Sequence, residues 1–150
     1  MAARTTPFNT FQTYLMHGTG SGTTTWEKLV DIKDIPDLQQ TPPTLDATTL
    51  SDPARSYIFD IEDPGGTLEF TANYTKADYE KVKALEGTVQ KLSVWFGASE
   101  ANGVFTPSGD DGKFDFEGYV SVRKSAASVS AVQEMVVSVA PLKMPEIASD

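Results

Sequence analysis

Apolar and polar residues alternate along most of this chain, the period-2 pattern of antiparallel strands with one buried face. In the segment 68–74, Leu68, Phe70, Ala72 and Tyr74 share one face and Glu69, Thr71 and Asn73 the other. Leu92, Val94 and Phe96 point one way in the next strand, with Ser93 and Trp95 opposite them. Further on, Phe114, Phe116, Gly118, Val120 and Val122 alternate with Asp115, Glu117, Tyr119, Ser121 and Arg123. A last strand over 132–139 is partly apolar on both faces, Gln133, Met135, Val137 and Val139 on one and Val132, Glu134, Val136 and Ser138 on the other. It is expected to be covered on both sides.

Only the segment 76–86 breaks to a helical period. Thr75 stands at the N-cap and Asp78 follows three residues on, where negative charge is favoured. Tyr79, Val82 and Leu85 form one stripe, the other face is polar, and Gly87 ends the run. A helix this short is marginal alone in water, so its stripe must dock on a sheet. Turn residues separate the strands at Gly18-Thr19-Gly20-Ser21-Gly22, Asp63-Pro64-Gly65-Gly66 and Ser108-Gly109-Asp110-Asp111-Gly112. The pattern predicts a mainly β chain with one helix, folded as a single domain over residues 1–150 with terminal arms at about 1–9 and 143–150.

One stretch departs from this plan. After the strand predicted over 25–35, residues 36–56 are rich in proline and polar residues, yet retain Leu38, Leu45 and Leu50, with Arg55, Tyr57 and Ile58 at the far end. Loops beyond about 12–15 residues are uncommon inside compact domains and are usually functional or disordered. So many apolar anchors mark an arm that docks on a partner, mobile until it does so.

Composition narrows the chemistry. The chain contains no cysteine, which excludes disulfides, thiol nucleophiles and thiolate metal sites. No apolar run approaches the roughly 20 residues needed to cross a bilayer, and the N-terminal residues lack the apolar core of a signal peptide. The net charge is −9, against the basic character that phosphate binding requires. Seven acids (Asp37, Asp46, Asp52, Asp60, Glu62, Asp63 and Glu69) face the single base Arg55 between Pro36 and Thr75. A solvated acidic surface that aids solubility is the plain reading.

Candidate chemistry reduces to structure at each point. Gly18, Gly20 and Gly22 lack the spacing of a dinucleotide fingerprint and precede a strand, not a helix. Asp110, Asp111, Asp115 and Glu117 do not form a calcium loop, and the last two fall on a strand. His17, the only histidine, reads as a strand-end residue, and no Gly-x-Ser-x-Gly elbow introduces a nucleophile. Asn73-Tyr74-Thr75 matches a glycosylation acceptor but sits at a strand–helix junction. No catalytic residue, cofactor site or metal site is predicted. Trp95 and Tyr119, on faces opposite the core, are either covered by the helix or available to a subunit interface, where such aromatics are enriched.

Taken in order, Trp26, Val30-Asp31-Ile32-Lys33, Ile35-Pro36-Asp37-Leu38, Thr48-Thr49-Leu50-Ser51-Asp52, Arg55-Ser56-Tyr57-Ile58 and Leu68-Glu69-Phe70 resemble the major tail tube proteins of long-tailed, non-contractile bacteriophages. The similarity continues through the helix, Trp95-Phe96, Phe116-Glu117-Gly118-Tyr119-Val120 and the closing Val136-Val137-Ser138-Val139-Ala140-Pro141-Leu142, spanning roughly residues 10 to 142. It rests on the order and spacing of the set, not on any single motif. It implies an antiparallel β-sandwich or half-barrel with one docked helix, a long arm between strands and extended termini. It further implies homohexameric rings stacked into a tube in the virion tail, assembled in the host bacterial cytoplasm. The implied partners are tape measure, tail tip and terminator proteins, with double-stranded DNA passing through without specific binding.

Under that resemblance Leu38, Leu45, Leu50, Arg55 and Tyr57 belong to an arm reaching the adjacent ring or subunit. Glu69, Asp115 and Glu117 become candidates for an acidic lumen wall that repels phosphate. They could equally lie on the outer surface or pair with Lys91 and Arg123 across strands. Two other readings stand beside it: a tube protein of a contractile or type VI secretion-like apparatus, and, from a different class, a monomeric carbohydrate-binding β-sandwich whose platform would be Trp95 and Tyr119.

Overall fold

A computed structural model of the chain describes Thr6 and residues 11–20, 22–61 and 66–148. The strands are β1 (Thr13–Thr19), β2 (Thr25–Val30), β3 (Ile32–Asp34), β4 (Thr44–Asp46), β5 (Tyr57–Phe59) and β6 (Leu68–Asn73). Helix α1 (Lys76–Lys83) follows, then β7 (Val89–Ala101), β8 (Val104–Lys124), β9 (Glu134–Pro141) and β10 (Glu146–Ile147). The main sheet runs β2-β1-β7-β8-β9-β6-β3, antiparallel at every pairing, and β10 adds to β8. Its two end strands, β2 and β3, are separated in the chain by Asp31 alone. Their connection brings the two edges of the sheet together and rolls it towards a barrel, the mainly β, one-helix architecture anticipated from the alternation.

The inward positions are those the alternation selects. Leu68, Phe70 and Ala72 of β6 face Leu92 and Val94 of β7, Phe116, Val120 and Val122 of β8, and Met135, Val137 and Val139 of β9 in one core. The Phe70 and Phe116 rings stack with centroids 6.1 Å apart. Each fully buried side chain of this kind contributes roughly 1.5–3 kcal/mol of transfer free energy. Gly118 sits where β9 crosses close to β8, and a Cβ there would overlap the Ala140 carbonyl.

Helix α1 closes the core. The Thr75 hydroxyl accepts from the Asp78 N–H at 3.2 Å, as its N-cap position implies. Val82 is completely buried, with Tyr79 and Leu85 packed beside it. The regular helix ends three residues earlier than the periodicity suggests. Leu85 N–H and Glu86 N–H bond back only three residues, to Val82 and Lys83, and Gly87 takes φ 92°. That tightened last turn is how a short helix satisfies its terminal carbonyls.

Three expectations are corrected. The Ser108–Gly112 cluster does not reverse the chain: β7 and β8 run past it as a long ribbon, and residues 108–111 bulge against Gly97. Reversal comes at Asn102 (φ 52°) and Gly103 (φ 81°), the two positive-φ positions of a two-residue hairpin turn. The C-terminal residues 143–148 are not a loose arm. Pro145 is fully buried, β10 pairs with Asp115 and Phe114, and Ala148 N–H donates to the Lys113 carbonyl at 2.7 Å. His17 lies within β1, not at its end; it is buried, with Nε2 2.9 Å from Gln90 Oε1. The turn expected at Asp63-Pro64-Gly65-Gly66 and the N-terminal arm fall almost wholly outside the described residues.

Candidate assembly surface

The 36–56 excursion starts from the barrel. Leu38 packs against the core and the Gln39 side-chain amide donates to the Pro145 carbonyl at 3.0 Å. Beyond it the chain forms a hairpin of its own. β4 and β5 pair in the register Thr44–Phe59, Leu45–Ile58, Asp46–Tyr57, and join no other described strand. The arm is thus a hairpin extending to residue 60, where Asp60 N–H closes on the Pro43 carbonyl.

Polar side chains fold the connecting loop on itself. Thr48 N–H donates to Asp46 Oδ1 at 2.9 Å, and the Thr48 hydroxyl accepts from Ser56 N–H at 2.9 Å. At the tip Thr49 N–H donates to Asp52 Oδ2 at 2.7 Å while Asp52 N–H returns to the Thr49 carbonyl. Arg55 reaches Asp46 at 3.1 Å. Thr48, and then Arg55, hold the Asp46 carboxyl below its ordinary value.

The apolar residues of this hairpin face water. Leu45, Tyr57, Ile58, Phe59 and Ile61 are all exposed, and Leu50 at the tip is fully so. A two-stranded hairpin is marginal without a third strand or a packed face, and contiguous exposed apolar surface marks an interaction site. Of the five arm residues anticipated from the sequence, Leu38 is committed to the core of its own chain. Leu45, Leu50, Arg55 and Tyr57 lie together on the projecting hairpin. Leu45 and its cross-strand partner Ile58 share one face of the hairpin and Tyr57 and Phe59 the other, with exposed Ile61 following.

The second surface is the outer face of the barrel. Glu69 is exposed on β6, opposite Ser138 of β9, which in turn faces Ser121 of β8. Glu117 lies opposite Lys91 of β7. Asp115 is half-buried, accepts from the Ser93 hydroxyl at 2.6 Å and stands opposite Glu146 of β10. The sheet therefore separates the three carboxylates into an isolated one, Glu69, and a pair, Asp115 and Glu117, among other charged side chains.

Tyr119 is half exposed on this face, whereas Trp95 is only 8% exposed. Trp26 packs on Trp95 with ring centroids 6.1 Å apart, and Lys113 Nζ lies 4.2 Å from its ring centre. Helix α1 sends Val82 into the core, with Tyr79 and Leu85 packed against it. Trp95 is consequently consumed within the chain, leaving Tyr119 and Trp26 as the aromatics near the surface here.

Beside them lies an open groove of about 550 Å³. Thr24 and Trp26 form one wall, Lys91, Asp115 and Glu117 the floor, and Lys143, Glu146 and Ile147 the other wall. Sequence reasoning missed it, because its far wall is a two-residue strand with no alternation of its own.

Among the described residues, no three His, Asp or Glu side chains approach closely enough to hold a metal ion, and the His17 ring meets Gln90. No described helix is long and apolar enough to cross a membrane. In comparisons with known proteins, no family model matches the chain and no curated protein matches it significantly.

Proposed function

We propose that this chain is a structural subunit of a phage tail tube of the long, non-contractile kind. Copies form homohexameric rings, and the rings stack into the conduit for DNA ejection. The observation that carries this reading is the projecting β4–β5 hairpin, whose apolar residues are exposed in the single chain. A surface of that kind needs a partner, and a second copy is the partner that a self-assembling subunit always has to hand. Head-to-tail contact between an arm and a different surface of the next copy does not close on itself, so it generates filaments. The sequence resemblance supplies the hexamer, the virion tail, assembly in the host cytoplasm and the neighbouring tape measure, tip and terminator proteins. The role needs no catalytic group, cofactor or metal.

Within this reading Glu69 is the acid best placed to line a lumen, since it stands free on an open sheet face. A basic wall would hold duplex DNA, which carries one charge per roughly 1.7 Å of axis, too strongly to release it. The burial of Trp95 removes half of the aromatic platform on which a carbohydrate-binding module would depend.

Negative-stain electron microscopy of concentrated purified protein tests the proposal. Hollow tubes of uniform width are expected, and replacement of residues 44–59 by a short Gly-Ser linker should leave a folded subunit that forms none. A wild-type protein that stays monomeric at every concentration, with or without other tail components, refutes it.

A further inference from the structure

We propose that Asn102 is a site of spontaneous covalent modification, deamidating through a cyclic imide to aspartate and isoaspartate, and that the β7–β8 turn and the Glu100 carboxylate hold the reaction in check. The inference is independent of the tube reading.

Sequence and position supply the reactive group. In this reaction the backbone nitrogen of the following residue attacks the asparagine side-chain carbonyl carbon, so a bulky following residue shields it and glycine does not. Asn102 is followed by Gly103, and both are exposed at the end of the ribbon. A Cβ on Gly103 would meet no described atom within 4 Å, so the approach to its nitrogen is open. Asn73, the other described asparagine, is followed by Tyr74, whose N–H is donated to the Gln133 carbonyl at 2.9 Å. The fold thus leaves one asparagine open to attack and shields the other.

The step balances with water as its one co-reactant. The Gly103 nitrogen forms a bond to Asn102 Cγ and the Cγ–Nδ2 bond breaks. Nδ2 leaves as ammonia, taking up the proton that the Gly103 nitrogen gives up. Water then opens the imide at either of its two carbonyls. Opening at Cγ yields aspartate. Opening at the Asn102 backbone carbonyl carbon leaves the chain running through the former side chain, as isoaspartate. Either product adds a negative charge beside Glu100, and isoaspartate lengthens the backbone of a turn that has room for two residues.

The folded turn opposes the first bond. Ring closure needs the Gly103 nitrogen rotated onto Cγ. Asn102 at φ 52° and Gly103 at φ 81° instead hold the left-handed pair of a primed hairpin turn, a separate well of the backbone. The Gly103 N–H, the group that must attack, is donated to Glu100 Oε1 at 2.7 Å. Cyclisation therefore proceeds from the fraction of molecules in which the tip has opened, and such exposed tips open at the least cost.

Trypsin releases the peptide 92–113, in which Asn102 is the one side-chain amide, so the mass change of an NH2-to-OH exchange reports this residue alone. Full-length protein is held at mildly alkaline pH, folded or in urea, and sampled over days; fragmentation of the peptide distinguishes the two isomers. The folded protein should gain the mass at Asn102 and not at Asn73, and urea should speed the conversion about tenfold or more, the penalty of opening the turn having been removed. Glu100 is exposed, so its substitution spares the fold. Glu100→Ala should raise the folded rate several-fold and leave the rate in urea unchanged. Absence of conversion in the folded protein overturns the site. Equal rates folded and in urea overturn the restraint by the turn. A folded rate that Glu100→Ala leaves unchanged or slows overturns the role of Glu100, the slower rate marking it as a proton acceptor that promotes the attack.

Discussion

Substituting Leu50 by alanine separates assembly from folding. Leu50 is fully exposed in the single chain and sits at the tip of the hairpin, away from the core. Monomer stability should stay within about 0.5 kcal/mol, as for other surface positions. Assembly should not. Alanine removes three carbons from a side chain that becomes buried, at about 0.8 kcal/mol each, or about 2.4 kcal/mol per arm contact. Tenfold in an equilibrium constant is about 1.4 kcal/mol, so the affinity of each contact falls about 50-fold. The assay is pelleting of polymer across a concentration series, with the protein left in the supernatant giving the critical concentration. That concentration should rise by about the same factor while urea melts of the two proteins superimpose. An unchanged critical concentration would show that Leu50 does not enter an interface, and a large fall in monomer stability would show that the arm folds back on its own chain.

Val82→Ala should cost about 2 kcal/mol, two methyl groups from a fully buried site plus the cavity they leave; thermal melts should fall by about 4–8 °C, at roughly 2–4 °C per kcal/mol for a domain of this size, while Lys76→Ala on the exposed face moves little. Gly118→Ala should destabilise the barrel by about 1–3 kcal/mol, because the added carbon meets the Ala140 carbonyl backbone and not a side chain that can turn away; an unchanged melt would show that β9 does not approach there. Glu86 links the end of α1 to β8, and its carboxyl is held below the ordinary value first by the Val122 N–H and then by Lys83. Its contribution is therefore present above the ordinary carboxylate range and lost as pH falls through it towards the lowered folded value. Glu86→Gln should flatten that part of the acid limb in stability-versus-pH curves; two parallel curves refute the link.

The parts of the fold legible in the sequence are those where one rule acts alone. Leu68, Phe70 and Ala72 alternate because one face of β6 meets the core, and Thr75 announces α1 because only a short polar side chain caps its free N–H groups. The β7–β8 ribbon was hidden for the opposite reason. Gly97, Pro107, Gly109 and Gly112 interrupt its alternation, and the turn chemistry at 108–112 is spent on a bulge. Asn102-Gly103, the strongest short hairpin signal in the chain, marked the true reversal. The arm was legible as an anomaly but not as a hairpin. Its strands are three residues long and exposed throughout, so no buried face imprints a period on them. Trp95 shows the limit of face assignment: alternation places it opposite the core correctly, yet Trp26 and Lys113 bury it there from a different strand and a different residue pair.

An arm that carries its own hydrogen bonds would give the proposed assembly different energetics from those of a floppy tether. A disordered segment pays its ordering entropy at the moment of binding and gains less affinity per unit of interface. Here Asp46, Thr48, Thr49, Asp52 and Ser56 close the loop within the free chain, so apolar contact by Leu50 and its neighbours is less offset. Opposing it is the net charge of −9 on every copy, which keeps separate subunits apart in dilute solution. That repulsion acts over a Debye length of roughly 8 Å at physiological salt, whereas apolar contact acts only on touching. Salt therefore lowers the barrier to encounter without weakening the contact itself. On the proposed assembly, strong local adhesion with repulsion at a distance disfavours encounter between separate copies and favours extension once a first docked copy holds the next within reach.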